Sequence, residues 1–234
     1  MPVIQTMLIL SSYFMPVTHI KLAILDNYTL FIKTLKSYLS ERKNITVAIQ
    51  SSNEYDLLQQ LKHTQIDALL VDILMPALTD TIILIRQEYP RVKILLLGTD
   101  QDIHIMCDLL ELGIYGFISK SGDPEDLLQA IDAVKENRVY RNRLFTDVLY
   151  ENTQHENSRN KAKKEAALND REKKILQLLW DEKSNKDIAA QLFVSIRTVE
   201  KTRQDLKDKL GVRSTVGILK YAIKNKIILP SYGG

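Results

Sequence analysis

The chain has 234 residues, 45% apolar and 26% charged, which suits two soluble globular domains; eight Gly and six Pro exclude a collagen-like or low-complexity chain. A lone cysteine, Cys107, rules out an internal disulfide and points to a reducing cytoplasm, and the four histidines show no zinc-binding spacing. The net charge of +3 conceals an asymmetry: residues 161–230 hold 17 Lys/Arg against 9 Asp/Glu, a surplus of +8, while the remainder sums to −5. A basic back behind an acidic front suggests a C-terminal part that binds nucleic acid.

Residues 1–19 form an N-terminal extension. The first twenty residues carry no charged side chain, but Gln5, Thr6, Ser11, Ser12, Thr18 and His19 interrupt the apolar run. That is too polar to span a bilayer, and it lacks the basic start of a secretory signal, so no membrane role is expected. From Ile20 onward, strand and helix patterns alternate. Lys21–Leu25, Ile45–Ile49, Ala68–Val71, Val92–Leu97 and Ile114–Ser119 read as apolar strands. Tyr28–Leu39, Glu54–Lys62, Asp80–Glu88, Asp102–Leu112 and Pro124–Glu136 read as the intervening helices, with Gly113 and Pro124 in the places of a C-cap and a first-turn proline. Apolar strands without polar alternation predict an α/β doubly wound, five-stranded parallel sheet covered on both faces, over residues 20–138. Its crevice lies at the carboxyl ends of the strands, where Asp26, Asp72, Gly98, Thr99 and Lys120 fall.

Residues 139–165 read as a linker. Leu144–Tyr150 could add a short helix, and Glu151–Lys164, polar and without apolar period, reads as flexible. Residues 166–230 then carry four helical patterns, an all-α four-helix unit. Asn169 with Glu172 is placed to form a capping box, and Ile175, Leu176, Leu178, Leu179 and Trp180 supply the first helix's core. Ser184 caps Asn185–Leu192; Ser195 caps Ile196–Leu210, which Gly211 stops; Thr215–Asn225 is the fourth. Only Phe193–Ser195 joins the second and third, which is helix-turn-helix spacing. On the third helix, Ile196, Val199, Leu206 and Leu210 form the expected buried stripe. Arg197, Glu200, Lys201, Gln204 and Lys207 are left to project outward.

The segments LNDREKKILQLL, SNKDIAAQLFVSIRTVEKTR and LGVRS closely resemble the LuxR-type helix-turn-helix of NarL/FixJ-class regulators over nearly all of residues 166–228. The resemblance implies that Glu200, Lys201 and Gln204 read base edges of double-stranded DNA, chemistry open to these side chains in a major groove. Lys186, Thr198, Arg203 and Arg213 are expected at phosphates. It also implies a homodimer on paired half-sites, joined through the fourth helix, where Val216, Leu219, Tyr221, Ile223 and Ile227 offer apolar surface.

LAILDNYTLF, LLVDILMP and GFISKSGDPEDLLQAI resemble the receiver domain of bacterial response regulators, a flavodoxin-like fold, over about residues 20–136. The resemblance makes Asp72 the acceptor of a phosphoryl group from a sensor histidine kinase. It makes Lys120 the residue that offsets phosphoryl charge and Asp26 a Mg2+ ligand. The second acidic position holds Asn27, which leaves an amide oxygen and one negative charge fewer for Mg2+. The switch-hydroxyl position holds Gly98, with Thr99 next to it, and the aromatic switch position holds Phe117. Two readings follow: a DNA-binding response regulator phosphorylated on Asp72, or a phosphorylation-independent regulator whose degenerate receiver serves protein contact. A phosphohydrolase using Asp72 is disfavoured, because Val71–Leu74 offers no second acid, and an enzyme is not expected.

Overall fold

Strands free of polar alternation have two faces to cover, and the computed structural model shows both covered; it describes residues 19–99, 102–157 and 168–228. Five strands, β1 (Ile20–Leu25), β2 (Ile45–Ser51), β3 (Ala68–Asp72), β4 (Lys93–Gly98) and β5 (Gly116–Ser119), pair in parallel in the order β2-β1-β3-β4-β5. Helices α1 (Thr29–Ser40), α2 (Glu54–Leu61), α3 (Leu78–Glu88), α4 (Ile103–Leu109, continued by a 3-10 turn, Leu110–Leu112) and α5 (Pro124–Lys135) alternate with them.

Strand alternation divides the core. Ile24, Leu70 and Leu97 turn toward α1 and α5, where Ile32, Leu35, Leu39, Leu127 and Ile131 close one layer. Leu25, Val71, Leu96 and Phe117 turn the other way, against Leu57, Ile82, Ile85 and Met106 of α2, α3 and α4. Chain order reverses between β1 and β3, so the crevice of this sheet opens above those two strands.

The expected linker contains a helix longer than its apolar residues suggested. α6 (Arg143–Asn157) covers Leu144–Tyr150 and continues through residues 151–157, where the polar sequence predicts a flexible segment; residues 158–167 lie outside the described ones, as does the extension up to residue 18. Its first turn is fixed by Asn142, whose Oδ1 accepts from Phe145 N–H and whose Nδ2 donates to Phe117 O. Phe145, Val148 and Leu149 are buried in the α2–α4 layer, so burial rather than helix propensity holds α6.

The C-terminal unit is built of α7 (Asp170–Trp180), α8 (Asn185–Gln191), α9 (Ile196–Leu210) and α10 (Thr215–Lys224). Capping chemistry marks its starts: Asn169 with Glu172 forms the expected capping box, and Ser184 and Ser195 cap as expected, while the structure adds Asp187 to the Ser184 cap as a second box and Ser214, which accepts from Gly217 N–H, as the cap of α10. Gly211, at φ 67°, ends α9 in the left-handed cap that glycine adopts without strain.

Candidate functional site

Asp26 and Asp72 follow the apolar runs of β1 and β3 and are fully buried. Two buried carboxylates need a counter-charge. Lys120, just after β5, supplies it: its Nζ lies 2.7 Å from Asp26 Oδ2 and 3.0 Å from Asp72 Oδ1. The Lys120 N–H donates to Gly98 O at 2.6 Å, which fixes the loop carrying the lysine. Nζ also lies 5.0 Å from the Phe31 ring centroid and 5.6 Å from that of Tyr28, both on the entry to α1. Asp26 Oδ1 accepts from Tyr28 N–H, and Asp72 Oδ1 from Leu74 N–H. Asp72 Oδ2 has no hydrogen-bond partner among the described residues, although it is buried. Two carboxylates and one ammonium leave the cluster one charge negative. With an orphaned carboxylate oxygen and the exposed Asn27 at its rim, its donor set fits a hard divalent cation that keeps several waters.

At the switch position the structure departs from a hydroxyl-bearing site. A Cβ on Gly98 would lie 2.7 Å from Ile73 Cγ2 and 2.9 Å from Phe117 Cε2. The Phe117 ring, fully buried, thus packs where a side chain at 98 would stand. Thr99 does not replace it: its Oγ1 and N–H both donate to Asp102 Oδ2, at 2.9 and 2.6 Å, away from Asp72.

On the second candidate surface, α9 exposes Arg197, Glu200, Lys201 and Gln204. Ser195, Arg197, Thr198, Glu200 and Lys201 line a shallow open dish of about 530 Å3. Gln204 Nε2 donates to Asp208 Oδ1, while Lys186 on α8 and Arg213 beyond α9 are exposed on their own elements. Three expectations fail here. Arg203, assigned to phosphate contact, is 7% exposed; it donates to Asn185 Oδ1 and to Thr215 Oγ1 at 2.7 Å, tying α8, α9 and α10 together. Burial holds its guanidinium below the ordinary value. Its spacing from Val199 and Leu206 was the available signal, since i+4 and i−3 share a face. Lys207 is half-buried rather than projecting, with its ammonium lowered by burial and then by Arg203. Ile196, assigned to the buried stripe, is 46% exposed.

The junction between the units is built from contacts distant in sequence. Arg141 stacks on Trp180, 4.1 Å from the ring centroid, donates to Trp180 O and pairs with Glu182 Oε1 at 3.2 Å. Lys220 Nζ on α10 meets Glu111 Oε1 at 3.0 Å. Val216 and Ile223 of α10 join the receiver-side core beside Phe145 and Val148, and Leu219 lies in the core of its own unit. Much of the apolar surface expected to serve a second copy is therefore already covered. A lone arginine before a helix and a tryptophan at another's end carry no periodic signal, so sequence could not pair them.

The parallel sheet with this crevice, followed by a capped helix-turn-helix, defines a response regulator. Residues 22–132 match the response regulator receiver domain, and residues 166–222 match the bacterial regulatory proteins of the luxR family. The chain is thus a response regulator in which a receiver is joined to a LuxR-type domain. It is 28% identical over 214 residues to the oxygen regulatory protein NreC of Staphylococcus aureus, an alignment covering 89% of this chain and 99% of that one. Its fold is shared with a structure of two RcsB dimers bound to two parallel DNAs, at 22% identity and TM-score 0.53, covering 88% and 99% of the two chains. RcsB from Salmonella enterica serovar Typhimurium, bound to promoter rprA in the presence of phosphomimetic BeF3−, is also 22% identical, with TM-score 0.50 over 87% and 98%. No helix among the described residues is long and apolar enough to cross a membrane.

Proposed function

We propose that this response regulator is a sequence-specific, DNA-binding transcription factor of the cytoplasm whose receiver accepts a phosphoryl group on Asp72. The observation that carries the acceptor assignment is the unpartnered, buried Asp72 Oδ2, held at the sheet's topological switch point with Lys120 across it. A Asp72 oxygen attacks the phosphorus of a sensor kinase's phosphohistidine; the P–N bond breaks, and the imidazole leaves as a neutral ring after taking a proton from solvent. Lys120 then turns from the carboxylates to the phosphoryl oxygens, whose charge it offsets. Asp26, Asp72 and the Asn27 amide oxygen would hold Mg2+, which when bound offsets further phosphoryl charge.

For DNA, support comes from the exposed row Arg197, Glu200, Lys201 and Gln204 on the second helix of a helix-turn-helix, inside the stretch 161–230 with its surplus of +8. Two half-sites one helical turn apart would take a homodimer. The test is intact mass after incubation with acetyl phosphate and Mg2+. One phosphoryl adduct is expected on the wild type and none on Asp72→Ala. An adduct that persists in Asp72→Ala moves the acceptor elsewhere; no adduct on either favours the second reading. That reading, a phosphorylation-independent regulator with a degenerate receiver used for protein contact, draws its support from the Phe117 ring filling the space beside Gly98.

A further inference from the structure

The start of α9 carries two exposed apolar side chains that neither the core nor the polar reading face uses. Ile196, the residue after the N-cap Ser195, is 46% exposed. Val199, three residues on, is fully buried, so the core ends one turn short of Ile196. Phe193, in the turn between α8 and α9, is 95% exposed and sits at φ 54°. That conformation suits Gly or Asn; an aromatic held there costs energy locally and still gains no burial. A single exposed Ile is ordinary. Two within three residues, at the leading end of the second helix of the helix-turn-helix and beside exposed Arg197, Glu200 and Lys201, form an apolar lip in a charged surface.

In a helix-turn-helix the N-terminal residues of the second helix meet base edges, and the one apolar group on the major-groove edge is the thymine C5 methyl. Ile196 also stands four residues before Glu200, so their Cβ atoms lie about 5–6 Å apart on one side of α9. At about 3.4 Å per nucleotide, that separation is one or two base steps.

We propose that Ile196 is a specificity-determining residue that packs on the C5 methyl of a thymine one or two steps from the base pair met by Glu200, with Phe193 shielding that contact from water at the groove's rim. This rests on the DNA-binding reading above. The occupant is duplex DNA, because Ile196 opens the helix whose exposed Arg197, Glu200, Lys201 and Gln204 form the row read above as facing the groove.

The experiment uses the full chain and duplexes it enriches from a random pool, with each thymine replaced in turn by deoxyuridine, which removes only the methyl. For the wild type, one thymine per half-site should lose roughly 4-fold in affinity on replacement, the worth of one buried methyl-sized group. In Ile196→Ala, thymine and deoxyuridine should bind alike at that position, while Lys201→Ala should weaken both and keep their ratio. A thymine preference equal in wild type and Ile196→Ala, or none at any position, overturns the proposal while leaving DNA binding intact. Failure of the wild type to enrich any duplex overturns the DNA-binding reading and this one with it. Since Ile196 is half outside the core, the variant's melting temperature should match the wild type's, which separates a lost contact from a lost fold.

Discussion

Adding a side chain at Gly98 measures how firmly Phe117 and Ile73 occupy the switch position. In Gly98→Ala the new Cβ meets Ile73 Cγ2 at 2.7 Å, Phe117 Cε2 at 2.9 Å and Asp102 Oδ2 at 3.1 Å. The first two partners are buried, at 2% and 0% exposure; Ile73, just past β3, donates its N–H to Leu97 O, and Phe117, within β5, pairs with Leu96, so neither withdraws freely. Overpacking of this kind costs about 1–3 kcal/mol. Gly98→Ala should therefore lower the stability of the full chain by that amount in urea unfolding followed by circular dichroism, with the m-value unchanged. Phe117→Leu removes the nearer ring atoms, so the double variant should be more stable than the sum of the single losses, with coupling of about 0.5–3 kcal/mol. The same arithmetic governs signalling. Gly98→Thr alone should gain no phosphodonor response, because the ring bars its hydroxyl. Gly98→Thr with Phe117→Leu should gain up to the worth of one hydrogen bond to a charged group, about 1.5–3 kcal/mol, in DNA affinity upon addition of acetyl phosphate. A neutral Gly98→Ala, strictly additive stabilities, or a full response in Gly98→Thr alone would refute the reasoning.

Arg203→Ala should destabilise the C-terminal unit by on the order of 3 kcal/mol, because two hydrogen bonds from a buried charge are lost; a melting temperature equal to that of Lys201→Ala would contradict the structural role. Arg141→Ala should unstack the only tryptophan, Trp180, and shift its emission to longer wavelength, with a loss of about 1–2 kcal/mol in domain docking; unchanged emission would dismiss the contact. Asp187 is held below its ordinary value of 3.8, first by the Ser184 hydroxyl and against some burial, so its cap contributes above that value and is lost as pH falls through the lower, folded one. Acid titration of the C-terminal unit should accordingly show a loss of helicity between those two values in the wild type that is smaller in Asp187→Asn.

The architecture was legible because its signals are local and periodic. Uninterrupted runs such as Ala68–Val71 mark a strand buried on both faces, and Asn169, Ser184 and Ser195 mark helix starts through chemistry that acts over three residues. The acidic cluster was legible for a related reason: Asp26, Asp72 and Lys120 each end a strand, and parallel strands end on one side. What escaped notice depended on distance in the chain or on a helix end. Ile196 has core periodicity, but it opens the helix one turn before the core, which starts at Val199. Arg203 has a core spacing that its charge disguised. α6 has too few apolar residues for amphipathic reasoning to extend it to Asn157, and it is held by a surface the sequence does not display. The crowding at Gly98 follows from a ring on another strand, which no reading of β4 alone supplies.

The place of α6 and α10 in a shared core bears on how such proteins are inherited. Phe145, Val148 and Leu149 face Val216 and Ile223 within one continuous cluster that begins at the sheet. A lineage that exchanges receivers while keeping its LuxR-type half would bring an unmatched wall to α10, leaving voids or overlaps on both sides of the join. Recombination joints that keep α6 with its own α10 face should thus survive better than joints between them. Across descendants, a change at Val148 should be answered by one at Val216 or Ile223, far along the chain, so that the two halves evolve as a fitted pair.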